Sequence, residues 1–219
     1  MRYDPELNDH GLPYNPYKSC VIPRPIGWIS TVSPEGIHNL APFSQFQSLN
    51  FDPPYVIFSA NQNTKGQKKD TIINIERTGE FGYSMATYDL REKVNITAME
   101  VPFEIDEFEL AGLSKEPSLK IKPSLVAESP IKFECVLHQL IRIPGRSPMG
   151  TIDVVIGRVV MIHIDDGVIG QDGKVDVLKI KPLARLGYND YTFVNNLFEM
   201  VIPGGNEALI RGMCGERRQ

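Results

Sequence analysis

PRPIGWISTVSPEGIHNLAPFSQFQSLNFDPPYVIFSA, residues Pro23 to Ala60, decides the fold, and the Lys-Lys-Asp-Thr sequence at Lys68 to Thr71 completes it. Ile26 to Val32 is an apolar, β-branched run, Ser33-Pro34-Glu35-Gly36 has turn chemistry, and a second run goes from Ile37 to Ala41. The order is strand, turn, strand. A polar loop is expected from Pro42 to Pro54, then a short buried strand from Tyr55 to Ser59. Asp70 is expected to N-cap a short helix that carries Ile72, Ile73 and Ile75 on one side and ends near Gly79.

Outward from this stretch, the Pro/Asn/Tyr-rich lead from Pro5 to Tyr17 is expected to wrap the surface. Phe81 to Ala86 reads as a strand. Leu90, Val94 and Ala98 recur every four residues, so a helix is expected from Tyr88 or Asp89. Glu104 to Leu110 suits another short helix or turn. Ile131 to Ile143 and Thr151 to Ile164 read as long paired strands joined by Pro144-Gly145-Arg146-Ser147-Pro148. Asp172-Gly173-Lys174 is a tight turn, and a polar tail follows Pro203-Gly204-Gly205. Many strands with few, irregularly placed helices predict a mainly β protein, an antiparallel barrel with flanking helices. One domain is expected over residues 1–219, with its core at about 20–192, a lead at 1–19 and a tail at 203–219.

The charge balance of 23 basic and 27 acidic residues, with no basic stripe longer than Lys68-Lys69, speaks against nucleic acid as a partner. The beginning MRYDPELNDHG lacks the apolar core of a signal peptide, and no segment approaches the ~18 apolar residues of a membrane span. The expectation is a soluble, cytoplasmic protein. Cys20, Cys135 and Cys214 form no CxxC pair and suit a reducing compartment. Cys20 reads either as a thiol near a cofactor or, with more support, as a small buried filler.

His10, His38, His138 and His163 are scattered without ligand spacing, so no metal is expected, and His138 and His163 read as structural. There is no Gly-x-Ser-x-Gly elbow, Rossmann fingerprint or P-loop. What remains is an anion site and a ring pocket. Lys69, Asp70 and Thr71 open a helix, where backbone N–H groups, an ammonium and a hydroxyl either converge on a phosphate or form an ordinary solvated terminus. Asn39 to Ser44 leaves a strand and either edges a planar heterocycle or satisfies a turn. Trp28 reads as packed core.

RPIGWIST, NLAPFSQFQSLNFDPPYVIFS, KKDT and Pro182-Leu183-Ala184-Arg185-Leu186-Gly187-Tyr188-Asn189-Asp190-Tyr191 stand in an order that resembles the flavin reductase-like family. This is a group of FMN-binding split β-barrels that includes flavoredoxins and the reductase components of flavin-dependent oxygenases. The resemblance implies a six-stranded Greek-key antiparallel barrel and a homodimer with FMN near the subunit interface. It also implies an FMN-dependent oxidoreductase, with NADH or NADPH as co-substrate and a redox protein or oxygenase as possible partner. Carried over residue by residue, Ile29, Ser30 and Thr31 would lie along the flavin. Asn39, Ala41, Pro42, Phe43 and Ser44 would border its ring, and Ser59 and Ala60 its ribityl chain. Lys69 and Thr71 would hold the phosphate, and Arg185 and Tyr188 would close the pocket, from the partner subunit if the dimer so arranges it. No catalytic acid or base is implied, because the flavin carries the chemistry. Many oxygenase-partner reductases carry a Gly-Asp-His type sequence where this chain has Gly150-Thr151-Ile152-Asp153 ahead of Gly157-Arg158-Val159. The missing histidine favours a flavoredoxin-like electron carrier over rapid NAD(P)H-dependent reduction of free flavin. A non-redox FMN-binding module is the third reading.

Overall fold

A computed structural model describes residues 1–215, without the side chains of four residues in the last helix. In chain order the elements are β1 (Arg24–Pro25), β2 (Gly27–Val32), β3 (His38–Phe43), β4 (Phe46–Phe51), β5 (Pro54–Asn61), α1 (Asp70–Thr78), β6 (Glu80–Met85), α2 (Arg91–Ile96) and α3 (Glu107–Leu110). They continue with β7 (Lys115–Glu116), β8 (Leu125–Val126), β9 (Ile131–Ile143), β10 (Ile152–Ile164), α4 (Val177–Ile180), β11 (Leu183–Gly187), β12 (Asp190–Phe193) and α5 (Glu207–Cys214).

Seven strands form one sheet in the order β3-β2-β6-β9-β10-β5-β4, every pairing antiparallel. Its two end strands, β3 and β4, are separated in sequence only by Ser44 and Gln45. The sheet therefore has to curl until its ends approach, which makes a barrel. No ladder joins β3 to β4 among the described residues, and this seam is the split.

The first hairpin turns as its residues dictate. The Ser33 hydroxyl accepts from the N–H groups of Glu35 and Ile37, both at 3.2 Å, and Gly36 takes φ +90°. Seven strands stand where six were expected, because the segment from Pro42 to Pro54 is not simply a loop. It contains β4, paired with β5. Its polar residues conceal the strand pattern, but Phe46 anchors it by stacking on Tyr83 at 4.7 Å between ring centroids and 6° between planes.

Phe46, Tyr83, Phe58 and Phe81 fill the barrel with Ile29, Val56 and Val155. Two strand glycines leave room for the rings. A Cβ on Gly27 would lie 2.4 Å from Phe46 Cδ2, and one on Gly157 2.2 Å from Phe81 Cζ. α1 closes one end of this core with Ile72 and Ile75, both fully buried, while Ile73 is only half-buried. Gly79 ends the helix in the left-handed conformation, as expected. Asp70, however, is the first helical residue and not the N-cap. Lys69 takes that position and offers no capping oxygen.

A second core lies outside β2 and β3, where Trp28, Leu40, Val94 and Phe108 pack beneath α2 and α3. Trp28 is fully buried and donates from Nε1 to Thr97 Oγ1 at 2.9 Å. The long hairpin of β9 and β10 runs from Ile131 to Ile164, close to its sequence-derived limits. His163 Nε2 lies 2.7 Å from the buried Glu134 carboxylate, and His138 packs edge-on to Tyr55.

Two expectations need correction. Cys20 is exposed, its thiol 3.2 Å from the Pro16 carbonyl, because the lead lies on the surface and offers nothing to bury it in. The polar tail contains a helix, α5, although residues 216–219 and the Cys214 side chain lie outside the described residues. Among the described residues no helix is long and apolar enough to cross a membrane.

Candidate functional site

The split in the barrel separates two concavities. The larger, about 530 Å³, lies between the lead and the outside of the sheet, walled by Tyr17, Lys18, Val21 and Pro23 on one side and by Ser44 to Gln47, Ile57, Ser59 and Val154 on the other. Its volume is in the range of sites that bury a drug-sized ligand. The side chains of Ser44, Gln45, Gln47 and Ser59 have no hydrogen-bond partner among the described residues. The Gln45 carbonyl is held by Ser59 N–H at 3.0 Å, which ties the Ser44–Gln45 link to β5.

The smaller concavity, about 130 Å³, lies where α1 begins and is lined by Asn39, Ala41, Pro42, Phe43, Lys69, Thr71, Glu100 and Glu107, among others. Its size suits a single polar group more than a ring system. Lys69 reaches Glu100 at 2.8 Å, and Thr64 donates to the other Glu100 oxygen at 2.9 Å. Because Lys69 brings no capping side chain, the N–H groups of Asp70 and Thr71 are left without an acceptor among the described residues. Asp70 adds a carboxylate there, its pKa pushed up by burial against the pull of Lys69.

Behind this smaller cavity the polar groups are bound to one another. β3 is an edge strand, so its outward Leu40 N–H lacks a neighbouring strand, and α3 supplies the acceptor instead. Glu107 Oε2 receives that N–H at 2.9 Å. The Asn39 amide donates to both Glu107 oxygens, at 3.0 and 3.2 Å. Its own oxygen accepts from Thr71 Oγ1 at 2.7 Å and from Thr31 Oγ1 at 3.3 Å. Asn74 Nδ2 donates to Thr31 Oγ1 at 3.1 Å, leaving Asn74 Oδ1 buried without a partner among the described residues. Glu107 is 4% exposed, and burial pushes its pKa up to about 7 although the Leu40 and Asn39 donors pull the other way; Asp70 adds a smaller upward push.

The residues singled out from sequence thus divide into groups. Asn39, Ala41, Pro42, Phe43, Lys69 and Thr71 share the smaller cavity, and Ser44 and Ser59 share the larger. Ile29 and Ala60 are buried in the barrel core, while Ser30 and Thr31 are fully buried polar residues. Thr71, expected near the surface, is 1% exposed because its hydroxyl turns inward to Asn39. Arg185 lines a third concavity, where its guanidinium stacks over Tyr191 at 4.5 Å. Tyr188 takes φ +46° and packs on Tyr14, with its hydroxyl near the Asn15 carbonyl. Sequence reasoning missed Glu107, Glu100, Gln45 and Gln47. Glu107 lies in the segment read only as a helix or turn, and no local signal reveals a partner 67 residues away.

A seven-stranded antiparallel split barrel, with polar concavities on either side of the seam, is the class of protein these features define. The chain belongs to the flavin reductase-like family: the model of the flavin reductase like domain matches residues 19–193. An uncharacterised protein of Aquifex aeolicus is 37% identical over 191 residues, covering 87% of this chain and 94% of that one. Among solved structures, nitrilotriacetate monooxygenase component B from Bacillus cereus is 30% identical, with a TM-score of 0.83 over 91% of this chain and 98% of its own. Flavoredoxin of Desulfovibrio vulgaris (Miyazaki F) shares the fold at 18% identity and a TM-score of 0.72, over 90% of this chain and 100% of its own.

Proposed function

We propose that this protein is an FMN-binding oxidoreductase, with the flavin ring against the larger concavity and its phosphate in the smaller. The carrying observation is the pairing of these two spaces across the Phe43–Ser44 step. One is large and lined by unpartnered hydroxyl and amide side chains; the other is small, with Lys69 and uncapped α1 amides. Ser59 and Asn63, which line one space each, are four residues apart, so one short stretch of chain borders both spaces. When bound, the flavin supplies hydride acceptance and the release of electrons singly or in pairs.

The chain's residues bind and orient. Lys69 and the amides of Asp70 and Thr71 meet the phosphate by charge-assisted bonds. Asn39 holds Thr71 in place from behind, and Ser44 and Ser59 offer hydroxyls towards the ring and the ribityl chain. Ile29, Ser30, Thr31 and Ala60 line neither space and act only as packed scaffold behind them. Family membership and the similarity to a monooxygenase component support a redox role, with an oxygenase or redox protein as partner.

We read the protein further as a homodimer. Ile57, Ile156, Val154, Ile141, Ile152 and Ile143 lie on the outward side of β5, β10 and β9, opposite the face that carries Phe58 and Val155, with Ile141 40% and Ile143 50% exposed. This apolar strip is continuous with the larger concavity through Ile57 and Val154. A second copy would cover it, and would bring the Arg185 and Tyr188 region to the site.

The electron-carrier reading has its own support. The stretch Gly150 to Asp153 has no histidine, and its one acidic side chain, Asp153, is 1% exposed and held by both oxygens to Arg142 at 2.9 Å, so it serves a structural ion pair. Visible absorption with added FMN, repeated anaerobically with NADH or NADPH, is the test. Perturbed flavin bands that bleach with nicotinamide establish a reductase; perturbed bands that persist leave FMN binding intact and favour a carrier reduced by a protein partner. Unperturbed bands at saturating protein overturn FMN binding.

A further inference from the structure

Thr71 has one hydroxyl proton, and it is directed away from the cavity. Oγ1 lies 2.7 Å from Asn39 Oδ1, an atom that can only accept, so the proton sits on that line. The orientation of the Asn39 amide is fixed in turn by Glu107, which when ionised can only accept and therefore draws Nδ2 towards itself. In this arrangement Thr71 presents lone pairs to the cavity, the wrong polarity for an anion.

We propose that Glu107 is a positioning residue that couples uptake of one proton to anion binding in the smaller cavity, acting through Asn39 and Thr71. This rests on the reading of that cavity as the phosphate site. When Glu107 takes the proton, its O–H donates to Asn39 Oδ1 and the amide turns over. Nδ2 then donates to Thr71 Oγ1, the long Thr31 Oγ1 bond to Asn39 Oδ1 is given up, and the Thr71 hydroxyl rotates its proton into the cavity towards the anion. No bond to carbon changes. One solvent proton moves onto a carboxylate, one negative charge is removed from behind the site, and one donor is added in front of it. The Leu40 N–H keeps its acceptor on the other carboxyl oxygen throughout.

The surroundings suit such a switch. Glu107 is buried, lines the cavity and titrates near neutrality. After burial, Asp70 on α1 is the like charge that pushes its pKa up, while Lys69 and Glu100 pair with each other in the cavity wall. On the α3 side Lys115 is bound to Asp106 and lies near Glu109. His38, on β3, has its pKa lowered by burial and by Lys115. Asp70 is the competing titration, and its carboxylate is removed by Asp70→Asn.

The test is the dissociation constant of FMN and of riboflavin between pH 6 and pH 8.5 for the wild-type protein, Glu107→Gln, Thr71→Val and Asp70→Asn. Wild-type affinity for FMN is expected to rise about tenfold as pH falls through neutrality, the equivalent of one unit of pKa displacement on binding. Riboflavin, without the anion, should change little. Glu107→Gln reproduces the protonated arrangement, with its amide donating to Asn39 and its oxygen accepting from Leu40. It should bind FMN at the tight, low-pH level throughout, apart from titration of the phosphate itself. Thr71→Val should lose most of the pH dependence while binding riboflavin normally, and this variant decides the matter if Glu107→Gln does not fold. Asp70→Asn should keep it. A Glu107→Gln protein that binds FMN with the wild-type pH profile, or weakly at every pH, overturns the coupling and leaves the phosphate site standing. Absence of FMN binding in every protein overturns the site and the coupling together.

Discussion

The two sides of the seam use similar residues to opposite ends. Behind the smaller cavity Asn39, Thr71, Thr31, Asn74 and Glu107 are buried and bonded to one another. Beside the larger one Ser44, Gln45, Gln47 and Ser59 have side chains with no protein partner among the described residues. Asn39 and Ser44 are only five positions apart in one continuous motif, yet one is scaffold and the other is open to a ligand. A hydroxyl or amide marks a candidate contact by its type, but whether its donor is already bound inside the protein decides its role. Burial enforces the distinction, because a polar group removed from water without a partner costs about 1–3 kcal/mol.

The largest effect that would test this contrast is on stability. Asn39→Ala strips Glu107 of its side-chain donor and Thr71 and Thr31 of their acceptor, so it should destabilise the fold by about 3 kcal/mol in urea unfolding. A loss below about 1 kcal/mol would erase the difference between the two sides. Next comes pH. Glu107 holds its proton more tightly folded than unfolded, so the stability this contributes is present at low pH and is lost as pH rises from about 4.5 to about 7. Wild-type stability relative to Glu107→Gln should fall by ~3 kcal/mol across that window and then level off. A difference that grows with pH would reverse the sign and disprove the burial-driven shift.

Much of the barrel was legible in the sequence because its strongest signals are local. The hairpin around Ser33 to Gly36, the long strands from Ile131 and to Ile164, and the Gly79 helix stop follow from residue type and spacing alone. β4 was not legible, because an edge strand whose residues from Gln47 to Phe51 are all exposed carries no burial pattern. What defines it is a contact with Tyr83, far away in sequence. The candidate site was legible as a set of residues and not as a network. KKDT and NLAPFS named Lys69, Thr71 and Asn39, but Glu107 enters through the unpaired edge of β3, a consequence of strand order that no motif encodes. Cys20 failed for the converse reason: burial belongs to the path of the lead and not to the cysteine.

The smaller effects fall on binding. Lys69 is a third exposed and pairs with Glu100 at the surface, so Lys69→Ala should alter stability by less than ~0.5 kcal/mol. It should weaken FMN about tenfold and riboflavin hardly at all, measured by fluorescence quenching, since only the former carries the anion. Equal loss for both ligands would move the phosphate elsewhere.

Ser59→Ala makes the smallest change and the sharpest contrast with Asn39→Ala. The Ser59 side chain has no hydrogen-bond partner among the described residues, and its backbone N–H, which holds the Gln45 carbonyl at 3.0 Å, is untouched by the substitution. Stability should stay within ~0.5 kcal/mol of wild type, as for surface positions away from special features. FMN and riboflavin should weaken together by about threefold, because a single neutral hydrogen bond contributes about 0.5–1.5 kcal/mol and the ribityl chain is common to both. A loss confined to FMN would put Ser59 at the phosphate, whereas a loss of stability would mean that this hydroxyl, like that of Thr71, is part of the scaffold.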